Sequence, residues 1–133
     1  MVKPTAKKTI AKKTIVKKIA VLVCNGLSNN IQNSAALDMI LAASTYEYDV
    51  SVVFFGTGVF TLFKEQDAAS IQATNLLKSW KALPVYDVTQ LYAIQEDLTL
   101  HQIHIDDLAL PIWPLLQTQL HHLLTQQDII LRY

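Results

Sequence analysis

Two stretches of unbroken apolar sequence, "IAVLVC" at 19–24 and "VSVVFFG" at 50–56, constrain this chain more than anything else in it. A strand with one face in water alternates polar and apolar residues. A β-branched and aromatic run with almost no alternation belongs to a strand covered on both faces, as in a parallel sheet. Two further runs, "QLYAI" (90–94) and "DIILRY" (128–133), have the same character in weaker form. Between them lie helical patterns. Asn33 or Ser34 is placed to cap "SAALDMILAASTY" (34–46), with Ala36, Met39, Ile40 and Ala43 on one stripe. "SIQATNLLKSWKAL" (70–83) spaces Ile71, Ala73, Leu76, Leu77 and Trp80 in the same way and stops at Pro84. "WPLLQTQLHHLLTQ" (113–126) sets Pro114 in a first turn and Leu116, Leu120, Leu123 and Leu124 on a buried stripe. Strands alternating with such helices predict an α/β fold, a compact three-layer sandwich with a mostly parallel central sheet. Its sites are expected in the loops that follow the strands, "NGLSNN" (25–30) and "GTGVF" (56–60).

The length of 133 residues allows one domain with a real core. The formal net charge of zero hides a division. Residues 1–18 carry seven lysines and no acid, whereas 19–133 carry four basic residues and all eleven acids. The expected organisation is a lysine-rich, disordered extension over 1–18 followed by a single domain over 19–133. An acidic body offers no broad basic face to nucleic acid. The near-repeat "TIAKK" and "TIVKK" has no apolar core long enough for a signal or a membrane span. A lone cysteine forms no internal disulfide, and a cytoplasmic setting is the natural expectation.

Motifs exclude several chemistries. No GxGxxG, GxxxxGK[ST] or GxSxG occurs, and three glycines are few for a phosphate-cradling loop. His101 and His104, with Asp106 and Asp107, form the one local group of metal-ligand types; His121 and His122, adjacent on a helix, point apart. Solvated loop and helix-face histidines are the better account of both pairs, so neither a metal nor a cofactor is expected. Cys24 remains. A thiolate at the mouth of a parallel sheet can be a strong nucleophile, but a cysteine directly following Ile19–Val23 also suits a small buried residue. The residues favour packing and leave sulfur handling by Cys24 as the alternative. A third possibility is an anion cradle built from "NGLSNN" and "GTG".

Taken in order, "KKIAVLV", "SAALDMILAASTYEYDVSVVFFGTGVFTLF", "LLKSWKALPVYDVTQLYA" and the terminal "QQDIILRY" resemble the DsrE/DsrF/DsrH (TusBCD) sulfur-relay family, and within it the TusC or DsrF-like subunits. The resemblance runs over about residues 18–133. It implies a DsrE/F-like fold and a subunit of a heterohexamer with TusB-like and TusD-like partners. That assembly passes persulfide sulfur from TusA-like to TusE-like carriers, toward 2-thiolation of the tRNA wobble uridine. The related DsrEFH assembly serves dissimilatory sulfur oxidation.

The family's relay cysteine belongs to the TusD or DsrE subunit, just after the strand matching "QLYAI". The corresponding position here is Ile94, within one residue, followed by Glu96 and Asp97, whose charge would repel a persulfide anion. The resemblance therefore implies a non-catalytic subunit. It also implies exposed apolar surface for partners, with "GVFTLF" (58–63), Tyr46, Tyr48, Trp113 and Tyr133 as candidates, and self-association when partners are absent.

Overall fold

A computed structural model describes residues 16–26, 30–63 and 77–133. Five strands form one sheet: β1 (Lys18–Val23), β2 (Asp49–Phe54), β3 (Gln90–Ile94), β4 (Trp113–Leu115) and β5 (Ile129–Arg132). Their order across the sheet is β4-β3-β2-β1-β5, and every pairing is parallel. The helices are α1 (Asn30–Thr45), α2 (described over residues 77–81), α3 (Gln95–Leu100) and α4 (Gln117–Thr125). A 3-10 helix, Gly56–Leu62, follows β2, and another, Leu83–Tyr86, precedes β3.

Topology and handedness divide these elements between the two faces. From β1 to β4 each step moves one strand in the same direction, so right-handed crossovers put their connections on one side. The step from β4 to β5 runs back across the sheet and delivers α4 to the other side. Packing agrees. Ile19, Val21, Val23, Val50, Val52, Phe54, Leu91 and Ala93 meet Ala36, Leu37, Ile40 and Ala43 of α1, Trp80 of α2 and Leu98 of α3. On the opposite face Leu22, Val53, Tyr92, Ile94 and Leu115 meet Leu120, Leu123 and Leu124 of α4. Period two along each strand thus sorts odd from even positions in β1 and even from odd in β2.

Several sequence expectations change at the element ends. The first helix begins at Asn30, so Asn33 lies inside it and donates to the Gly26 carbonyl (3.2 Å) rather than capping. Its buried stripe uses Leu37, while Met39 is exposed. The predicted helix over 113–126 starts only at Gln117. Residues 113–115 are strand β4, where Pro114 sits in an edge strand that tolerates a missing N–H. Leu116 lies before the helix and is exposed, not part of its buried stripe. Neither β4 nor α3 was expected, because three residues of strand and six of helix carry too little periodicity.

Ile71, Ala73 and Leu76 of the predicted second helix, and the extension up to residue 15, lie outside the described residues. Lys18, placed in the extension, already belongs to β1 and pairs in register with Asp49. Among the described residues no helix is long and apolar enough to cross a membrane.

Candidate functional site

The strand order reverses between β1 and β5, and the loops leaving the sheet there form the edge at which α/β proteins place their sites. Cys24 is the first residue beyond β1. Its N–H donates to Tyr133 O (2.8 Å), and its carbonyl accepts from the Thr57 hydroxyl (3.3 Å). The side chain is half-buried on the α4 face beside Phe55, with Sγ directed at the Leu22 carbonyl (3.8 Å). Arg132, at the far end of the chain, lays its guanidinium over the Phe55 ring (5.8 Å) and hydrogen-bonds the thiol. Burial raises the thiol pKa above its ordinary value, outweighing the charge and hydrogen bond of Arg132, which lower it. At neutral pH Cys24 is therefore a thiol rather than a thiolate.

The two glycines after β2 are demanded by the backbone, Gly58 by close approach and Gly56 by its left-handed conformation. A Cβ on Gly58 would lie 2.0 Å from Val23 O, and Gly56 adopts a φ of +58°. This lets the 3-10 helix fold down onto the end of β1. The result does not resemble an empty cradle, because each glycine N–H already has an acceptor. Gly26 donates to Thr57 Oγ1 (3.2 Å), Gly56 to Asp97 Oδ2 (2.7 Å) and Gly58 to Phe55 O (2.9 Å). The segment "GVFTLF", a candidate for partner contact, contributes buried Val59, Thr61 and Leu62 to the interior instead.

At the neighbouring edge position, Ile94 is buried and ends β3, and α3 begins at once with Gln95, Glu96 and Asp97. The two carboxylates serve as ties. Asp97 accepts from Gly56, holding the loop after β2. Both Glu96 oxygens accept from the Gln117 N–H (3.2 Å each), holding the first turn of α4. Sequence reasoning noticed these acids only as unsuited to a persulfide. Their position in the first turn of a helix was the available signal, but their acceptance of N–H groups from two distant loops follows from the sheet order alone.

The histidines do not converge. The His101 ring packs against Phe60 (4.7 Å), His104 N–H donates to Asp107 Oδ2 (3.1 Å), and His122 Nε2 meets Gln126 Nε2 (3.2 Å). Among the described residues no group of three or more histidine, cysteine, aspartate or glutamate side chains is arranged to hold a metal ion. Of the aromatic contact candidates Tyr46 is exposed, whereas Tyr48, Trp113 and Tyr133 are half-buried against the two cores.

On the α4 face a cavity of about 340 Å³ opens between the helix and β3–β4, lined by Tyr92, Leu115, Thr118, His122, Leu123 and Gln126 among others. Below it the sheet carries polar groups. The Gln90 amide donates to the Asp49 carboxylate and to Val50 O (3.3 Å), all buried. Burial, and to a lesser degree the Asp49 charge, raises the Tyr92 pKa.

The sequence pattern of the DsrE/DsrF-like family matches residues 17–133. The chain belongs to the DsrE/DsrF-like family. Within it, the chain is 30% identical over 95 residues to the protein named "Protein TusC homolog" of Aliivibrio fischeri, covering 71% of this chain and 80% of that one. The TusC homolog of Pasteurella multocida is likewise 30% identical, over 99 residues, 73% of this chain and 83% of its own. The crystal structure of the ychN protein from E. coli superposes with a TM-score of 0.71, covering 89% of this chain and 100% of that one. At 13% identity that likeness speaks for the DsrE-like fold alone.

Proposed function

We propose that this DsrE/DsrF-like chain is a TusC-like, non-catalytic subunit of a TusBCD-type sulfur-relay complex that supports 2-thiolation of the tRNA wobble uridine. The observation that carries this reading is the β3–α3 junction. Where the family's relay subunit has its cysteine, this chain has buried Ile94 followed by Glu96 and Asp97, each carboxylate engaged with a backbone N–H of another loop. Ile94 has no sulfur on which a persulfide could form, and a persulfide brought there would face two carboxylates. The likeness to two TusC homologs over more than two thirds of the chain supports the same assignment. The partners in this reading are TusB-like and TusD-like subunits in the cytoplasm, with TusA-like and TusE-like carriers reached through them. A DsrEFH-type subunit of sulfur oxidation is the same structural role in another pathway.

One observation speaks for a sulfurtransferase using Cys24, namely the Arg132 guanidinium beside the thiol. Burial acts against it and has the larger effect. The test is native mass spectrometry of the chain mixed with TusB-like and TusD-like subunits, followed by incubation with a persulfide donor. The expected result is a mixed assembly with equal copies and sulfur on the partner's cysteine. Persulfide on Cys24, with loss of relay in Cys24→Ser, would replace the non-catalytic reading by the enzymatic one.

A further inference from the structure

Val85 (81% exposed) and Tyr46 (76%) are the two most exposed large apolar side chains among the described residues, and they share one end of the molecule with Tyr86 (54%). Tyr46 belongs to the turn from α1 into β2, Val85 and Tyr86 to the 3-10 helix that leads to β3. The Ser44 hydroxyl donates to Tyr86 O (2.8 Å) and fastens these turns together where two adjacent strands begin. Next to each tyrosine in the chain is an exposed acid, Glu47 and Asp87, and among the described residues neither carboxylate has an ion pair. Glu47 lies two residues past the end of α1, whose last turn holds no basic residue. The partial negative charge of the helix C-terminus and that carboxylate both call for a cation.

A source of cations enters at the same end. The Lys17 carbonyl accepts from the Asp49 N–H (2.9 Å), so the chain reaches β1 alongside the residue two places beyond Glu47. Residues 1–15, which precede the described part of the chain, carry five lysines and no acid. We infer that this lysine-rich segment docks on the Tyr46–Glu47 and Val85–Asp87 turns of its own chain, its ammonium groups against the two carboxylates and the tyrosine rings. Length and placement select it. From Lys17 back to Lys13 is about 13 Å of extended chain, and from β1 to β3 about 10 Å of sheet, so Lys12 and Lys13 reach both turns. Each lysine pair of "TIAKK" and "TIVKK" follows an isoleucine, which suits an apolar patch flanked by acids. At the other end of the sheet Glu96 and Asp97 are already engaged with backbone N–H groups, whereas Glu47 and Asp87 are open. Each exposed contact is weak and screened by salt, but the covalent tether makes the docking intramolecular.

Zero-length carbodiimide cross-linking of the full chain, dilute and at low salt, tests this, with the monomeric product mapped by peptide mass spectrometry. Bonds from the lysines of residues 1–15 should fall on Glu47 and Asp87 about fivefold more often than on exposed Glu96 and Asp106, which follow β3 at its other end. The variant Y46S/V85S/Y86S keeps both acids and the tether, and circular dichroism confirms that it is folded. It should lower that yield by about threefold, and so should salt at about 0.5 M. An even spread over the exposed acids, or a yield that the triple variant leaves unchanged, shows mere proximity of a tethered segment and overturns the inference. Bonds found only between light- and heavy-isotope copies overturn it equally, because the occupant is then a second copy.

Discussion

The two faces of the sheet are built from the same five strands and could hardly be covered more differently. On one side α1, α2, α3 and the 3-10 helices Gly56–Leu62 and Leu83–Tyr86 close over odd positions of β1 and even positions of β2, and ten of the twelve largest side chains under 2% exposed among the described residues lie there. Phe54 and Trp80 meet edge to face at 5.3 Å and 71° in the middle of it. On the other side the covering helix among the described residues is the nine-residue α4, its leucines only half-buried, with a cavity along one flank and half-exposed Ile130 beyond the other. Burial is what stabilises a fold, so the first face carries the stability of the monomer. The second leaves its covering leucines and Ile130 partly exposed among the described residues, and β5 stands there at an edge of the sheet.

The sharpest way to break this comparison is a pair of truncations. Phe54→Ala on the thick face should cost about 3–5 kcal/mol, because its ring is fully enclosed and its neighbours cannot collapse into the space. Leu123→Ala on the thin face should cost roughly 1 kcal/mol, from the lesser area it removes from water. Chemical denaturation of the two variants measures both, and equal losses would end the distinction. A smaller effect concerns the edge where the faces meet. Asp97→Ala removes the acceptor of the Gly56 N–H and should cost about 1–2 kcal/mol in the same measurement. No loss would mean that this tie does not hold the loop after β2.

The smallest effect is chemical. Because burial raises the Cys24 pKa, its rate of alkylation should stay low at neutral pH and climb only above the range of an ordinary thiol, about 8.5. The sign for stability follows from the same shift. The unfolded thiol ionises first, so the contribution of Cys24 is complete below its unfolded pKa and is lost as pH rises through the folded one. An alkylation profile with its midpoint below the ordinary value would make Cys24 an activated nucleophile and revive it as a sulfur acceptor.

Much of this was legible in the sequence, and the parts that were not share a cause. β1, β2 and β3 announced themselves as apolar runs within two residues of their observed limits, since covering a strand on both faces removes its polar positions. The first helix was likewise visible as a stripe. Residues 113–115 read as the start of a helix because Pro114 suits a first turn. Only pairing with the edge of β3 makes a strand of three such residues. The site divides in the same way. That Cys24 would stand at the mouth of the sheet was evident from the run before it. That Arg132 would face it was not, because the two residues lie near opposite ends of the chain.

What the sequence determined by itself, then, is what depends on neighbours along the chain: the parallel, doubly covered strands, the amphipathic helix and the absence of sulfur at Ile94. The tertiary structure alone decided which loops share an edge. It turned Glu96 and Asp97 from an unfavourable charge pair into two ties, gave Cys24 a half-buried thiol beside a guanidinium, and set β5 at an edge of the sheet. The physical reason is that hydrophobic periodicity is a local property of the chain. The meeting of one loop with another is set by strand order and crossover hand, which no short stretch of sequence contains.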